Sequence, residues 1–184
     1  MRILILGAGG IGGYFGARIQ AAGGDITFLV RPARAAQLRA GGLKIFSAFG
    51  DLQITPEVLT ADELRTPFDV IIVSCKAYDL DSAMDSIAPA VGDHSVILPL
   101  LNGVSHIDTL AARFGSQKVL GGVALISCRS RHAGEKEDEF PLPLDREEID
   151  GFIRAGLRED AFKAYDDDQA PPVPHFFACY SRPN

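Results

Sequence analysis

The chain has 184 residues, is 47% hydrophobic and has a mean hydropathy of +0.11, which is enough to bury a core and excludes wholesale disorder. Its net charge of −6 comes from one end: residues 1–129 hold 11 basic and 11 acidic side chains, whereas residues 130–184 hold 7 and 13. This balance argues against nucleic acid as a partner, and no apolar run nears the ~20 residues that cross a bilayer, so a cytoplasmic protein with a boundary near residue 129 is expected.

The opening apolar run Arg2–Gly7 ends in glycine with no small-residue cleavage site behind it, so it reads as a buried first strand and not as a signal peptide. Ile11, Phe15, Ile19 and Ala22 then recur at helical spacing and end at Gly23-Gly24. Asp25–Val30 is the second strand and Ala33–Ala40 a short helix closed by Gly41-Gly42. Leu43–Phe49 and Leu52–Thr55, joined by Gly50-Asp51, predict a small β excursion, and Thr60–Leu64 a capped helical turn. Asp69–Cys75 is the most strand-like run. Ala83, Met84, Ile87 and Val91 then give a helix over 80–91, followed by a strand at 95–101. A helix at 105–114 with Ser105 as its N-cap and a last strand at 118–127 complete the alternation.

Strands alternating with helices of about three turns give βαβ units, so an α/β, Rossmann-type, doubly wound parallel sheet is expected over residues 1–129. Residues 130–184 form an acidic, Pro-containing tail, mostly irregular, with one amphipathic stripe at Ile149, Phe152, Ile153 and Leu157. Cys75, Cys128 and Cys179 are too far apart for a disulfide framework or a zinc site and read as small hydrophobes, so no metal is expected.

Gly7-Ala8-Gly9-Gly10-Ile11-Gly12 fits G-x-G-x-x-G in the context that gives the pattern meaning, directly after a strand and opening a helix. Gly7 allows the tight turn, Gly9 lets a pyrophosphate approach the backbone, and Gly12 lets the helix pack close to the sheet. The free N–H groups and dipole at the helix start then favour phosphate. The second strand ends in Arg31, with Arg34 a turn later and no acid between them, where an NAD site usually places Asp or Glu for the ribose hydroxyl. A guanidinium pairs with the 2′-phosphate of NADP, so NADPH is favoured. Lys76 and Asn102-Gly103 follow strands at the ends where open α/β sheets bind ligands.

Arg2–Arg18, Leu29-Val30-Arg31, Ser74-Cys75-Lys76-Ala77-Tyr78 and Leu101-Asn102-Gly103-Val104, with Gly41–Ile45 and Gly121–Ala124, together resemble the ketopantoate reductase family, the 2-dehydropantoate 2-reductases of pantothenate biosynthesis. The resemblance implies a Rossmann domain for NADPH and a helical second domain that closes over a 2-oxo acid. By position it assigns the pyrophosphate to Gly7, Ala8, Gly9, Gly10, Ile11 and Gly12, and the 2′-phosphate to Arg31. Lys76 and Asn102 fall beside the nicotinamide and its ribose, Asn102 also reaching substrate, and Ser127 near a further cofactor contact. The tail departs from the family: Lys136 and Lys163 lie in charged stretches unlike the family's proton-donating lysine, so no catalytic acid is assigned. The expectation is therefore an NADPH-dependent ketopantoate reductase-like enzyme, with a homo-oligomer allowed. The alternatives are an inactive NADPH-binding module and a dinucleotide-sensing interaction protein.

Overall fold

The computed structural model describes residues 1–47, 50–122 and 124, together with the backbone of 126–127 and 179–180. The expected sheet is present. Its strands are β1 (Arg2–Leu6), β2 (Asp25–Leu29), β5 (Glu57–Leu59), β6 (Phe68–Val73) and β7 (Val91–Pro99), in the order β5-β2-β1-β6-β7 and all parallel. The chain starts in the middle, winds outward to one edge, returns past β1 and winds to the other, which is the doubly wound arrangement. Helices α1 (Gly10–Ala21) and α2 (Pro32–Gly41) make the connections on the first half, α3 (Leu80–Ile87) and α4 (Ser105–Phe114) on the second.

Period-two alternation sorts each strand onto two buried faces. Ile3, Ile5, Ile26, Phe28 and Ile72 pack with Ala17 of α1 and Leu38 of α2. Leu4, Leu29, Ile71, Val73 and Ile97 pack with Leu80, Met84 and Ile87 of α3 and Leu110 of α4. With apolar residues required on both faces, the central strands become nearly continuous hydrophobic runs, and this made them legible in the sequence.

Several boundaries differ from expectation for identifiable reasons. The third helix ends at Ile87 and gives way to a 3₁₀ turn at Ala88–Ala90, because Pro89 supplies no N–H. β7 accordingly begins at Val91, ahead of the expected start at Ser95, whose buried hydroxyl accepts from Gly92 N (2.8 Å). Helix α4 occupies the expected residues, but its N-cap is Val104 and no side chain caps it, so Ser105 is its first residue and not its cap. Thr60–Leu64 does hold the expected capped turn, which does not continue into a helix; the Glu63 carboxylate accepts from Thr60 N (2.8 Å) and from Arg39 (2.8 Å). These bonds, the one to the Thr60 backbone first, hold Glu63 below the usual carboxylate pKa.

The excursion is an antiparallel hairpin of β3 (Leu43–Ile45) and β4 (Leu52–Ile54). The edge strand β5 was not expected, since three residues after Pro56 give no readable period. Within the expected last strand at 118–127, the described residues show one parallel bridge, Val119 to Ile97, and β8 (Ile126–Ser127), which pairs with β9 (Cys179–Tyr180). A Cβ on Gly122 would stand 2.7 Å from Leu98 Cδ1, so the chain passes close to β7 there. No helix among the described residues is long and apolar enough to cross a membrane. The stripe at Ile149–Leu157 lies outside the described residues.

Candidate functional site

The candidate site forms along the C-terminal ends of β2, β1, β6 and β7. After β1 the chain turns at Gly7, whose φ of +95° is a conformation L side chains rarely adopt. Gly7 N donates to Leu29 O (2.9 Å) at the end of β2, and Ser74 Oγ donates to Leu6 O (2.8 Å) from the end of β6. Arg34 Nη2 donates to Ala8 O (3.1 Å) from the first turn of α2. The glycine turn is therefore pinned from both neighbouring strands and from a helix.

Helix α1 follows with Gly9 as N-cap, exposed and in extended conformation, and no side chain caps it. Its hydrogen-bond ladder begins at Gly13 N to Gly9 O (2.8 Å), so the N–H groups of Gly10, Ile11 and Gly12 precede the ladder. No acid occupies its first turn. A Cβ on Gly12 would stand 2.3 Å from both Gly7 O and Ser74 Oγ, so the third glycine is a steric requirement of the approach. An exposed, glycine-lined helix start with unladdered donors suits a pyrophosphate.

Arg31 ends the second strand region as the N-cap of α2, with Pro32 at the first helical position. Its guanidinium is 81% exposed and pairs with Asp79 Oδ1 at 3.2 Å. Lys76 is exposed and begins the 3₁₀ turn Ala77–Asp79 beyond β6. Of the three lysines among the described residues it alone lies at these strand ends: Lys118 donates to Gly92 O (2.6 Å) near the start of β7, and Lys44 is in the hairpin. Asn102 is exposed beyond β7, before Gly103 at φ +85°. Leu100 N donates to Val73 O (2.8 Å), which holds the ends of β6 and β7 together beneath Lys76 and Asn102. Tyr78 and Val104, exposed apolar side chains, lie on the same edge.

The topology thus brings Gly7–Gly12, Arg31, Lys76 and Asn102 to one edge of the sheet. Ser127 lies in β8, and its side chain is outside the described residues. Cys75 is half-buried, and burial raises its thiol pKa, as suits an unreactive side chain. Sequence reasoning missed the Ser74 bond, the attachment of Arg34 to Ala8 and the Asp79 partner of Arg31. Arg34 stood out as a second arginine, but its acceptor is a main-chain carbonyl 26 residues away.

The sequence profile of the family described as Ketopantoate reductase PanE/ApbA matches residues 3–138. The chain belongs to the ketopantoate reductase family. An uncharacterised oxidoreductase of Bacillus subtilis (strain 168), YkpB, is 43% identical over 135 residues, covering 73% of this chain and 44% of that protein. A 2-dehydropantoate 2-reductase of Mesorhizobium japonicum is 36% identical over 107 residues, covering 56% of this chain and 32% of that protein. The crystal structure of 2-dehydropantoate 2-reductase from Geobacter metallireducens superposes with a TM-score of 0.65 at 31% identity, covering 85% of this chain and 56% of that one. This ketopantoate reductase family chain thus spans less than half the length of these two curated relatives.

Proposed function

We propose that residues 1–129 form an NADPH-binding domain that serves the reduction of a 2-oxo acid, ketopantoate to pantoate in pantothenate biosynthesis. The observation that carries this reading is the pairing of a glycine-lined helix start after β1 with an arginine, in place of an acid, beyond β2. The turn Gly7, Ala8, Gly9, Gly10, Ile11 and Gly12 holds the pyrophosphate, with the main-chain N–H groups of Gly10, Ile11 and Gly12, which precede the helix ladder, as donors. Arg31 pairs with the 2′-phosphate, and Arg34 keeps the glycine turn in place through Ala8 O. Lys76 and Asn102 stand beside the nicotinamide and its ribose, Asn102 also donating to substrate, and Ser127 adds a cofactor contact. Bound NADPH would supply hydride chemistry at the ketone carbon of the acid.

Titration of the 184-residue chain with NADPH and NADH tests the reading. NADPH is expected to bind more tightly, and Arg31→Ala to narrow the gap by about 1.5–3 kcal/mol, the magnitude of one charge-assisted pair. Equal affinities for the two cofactors in the unmodified protein would overturn it.

A second reading is favoured by the share of the relatives covered, 44% and 32%. In it, this length of chain holds the cofactor but does not turn over alone, because a positioned general acid contributes roughly 10²–10⁴-fold and none is assigned here. Turnover of ketopantoate by the 184-residue chain at an ordinary rate, on the order of several per second, would refute it.

A further inference from the structure

Arg31 and Asp79 reach each other from opposite sides of the glycine turn. β2 and β6 both pair with β1, so their C-terminal ends lie two strand spacings apart, about 10 Å, with the turn between them. Arg31 extends from the β2 side and Asp79 from the β6 side, and their side chains meet at 3.2 Å. Both main chains are held: Asp79 N–H donates to Lys76 O (2.9 Å) and its carbonyl accepts from Ser82 Oγ (3.0 Å), while the Arg31 carbonyl accepts from Ala35 N (3.0 Å). The side chains differ: that of Asp79 is short and 35% exposed, whereas that of Arg31 is long and 81% exposed. Arg31 is therefore the arm that can move, and Asp79 the post it rests on.

We propose that Asp79 is a specificity-determining residue that competes with the cofactor's 2′-phosphate for Arg31. The proposal rests on the reading of Arg31 as the 2′-phosphate ligand. A phosphate monoester near neutral pH carries close to two negative charges and three acceptor oxygens, so it can draw the guanidinium from a single carboxylate. A ribose hydroxyl offers no such exchange and leaves the Arg31–Asp79 pair closed. Asp79 thus weakens binding of every ligand that carries the 2′-phosphate, through the exchange and through its own like charge. Ligands without that phosphate are little affected. NADP⁺ carries the same group, so the same competition eases its release.

The Asp79 side chain makes no capping hydrogen bond to α3, so Asp79→Asn removes the charge without stripping the helix of a cap, and circular dichroism is expected to show an unchanged fold. The probes are 2′,5′-ADP, the half-cofactor that carries the phosphate, and 5′-AMP, which lacks it. They are titrated calorimetrically against the 184-residue chain, Asp79→Asn, Arg31→Ala and the double variant. Asp79→Asn is expected to bind 2′,5′-ADP about two- to fivefold more tightly in low salt, the range an exposed ion pair commands, with 5′-AMP changed by less than about twofold. The gain should shrink as salt is raised to about 0.5 M, and should vanish in the Arg31→Ala background. If Arg31→Ala weakens 2′,5′-ADP while Asp79→Asn leaves it unchanged or weakens it too, the competition is overturned and the cofactor reading stands. If Arg31→Ala has no effect on 2′,5′-ADP, both fall.

Discussion

The two faces of the sheet are packed by opposite means. On the face that carries α1, the helix comes close because side chains are missing: a Cβ on Gly16 would stand 2.4 Å from Phe28 Cζ and 2.7 Å from Ile5 Cδ1, and one on Gly12 would meet Gly7 O. On the other face, α3 and α4 keep their distance through large side chains, with Leu80, Met84, Ile87 and Leu110 filling the space above Leu4, Ile71, Val73 and Ile97. Both faces bury an apolar cluster, but on the first the glycines set how closely α1 approaches the sheet, and on the second large side chains set the spacing.

This division can be broken by experiment. The largest effect is expected on the far face. Ile87→Ala removes a fully buried side chain from α3 and should cost about 2–5 kcal/mol of stability, read from chemical denaturation. Its NADPH affinity under native conditions should stay close to that of the parent. If affinity falls along with stability, the two faces do not act separately.

Gly12→Ala is the complementary change. One methyl group placed 2.3 Å from a main-chain oxygen forces helix and turn apart, at a cost of about 1–3 kcal/mol, less than the far-face cavity. Dinucleotide binding should nevertheless be lost, because the helix start is displaced. A folded Gly12→Ala protein that still binds NADPH with parental affinity would remove the glycine turn from the site.

The smallest effect concerns pH and sharpens the picture of the α4 face. His106 is 4% exposed, and its Nε2 has no hydrogen-bond partner among the described residues. It shares a helix face with buried Leu110. Burial lowers its pKa from the ordinary 6.5, so the unfolded chain binds the proton more readily than the folded one. The stability that depends on neutral His106 is complete above the unfolded pKa and is lost as pH falls through it. Denaturation midpoints should therefore fall between about pH 7.5 and 5.5, and fall less in His106→Gln. Glu63 does not confuse the window: its lowered pKa makes its own contribution disappear only below the ordinary carboxylate value of 4.5. Identical slopes in the two proteins would show that His106 is not responsible.

Much of the fold was legible because its signals are local. Arg2–Leu6, Asp25–Leu29 and Phe68–Val73 are runs whose composition alone marks strands buried on both faces, and Gly7–Gly12 gains its meaning from the strand before it and the helix after it. The errors fell where a neighbour decides. Val91–His94 becomes strand beside β6, Glu57–Leu59 becomes an edge because β2 offers it one, and Val119 makes a single bridge to Ile97.

The sequence by itself determined the doubly wound sheet, the place of the glycine turn and the presence of an arginine in place of an acid beyond β2. These depend on residue type and spacing along a few neighbouring positions, and hydrophobic period and backbone sterics act over that range. Only the tertiary structure decided what each polar group touches. Ser74 bonds Leu6 O across 68 positions, Arg34 bonds Ala8 O across 26, and Arg31 meets Asp79 across 48. A hydrogen bond or ion pair is a short-range interaction between groups that the fold brings together, and sequence separation carries no record of that meeting.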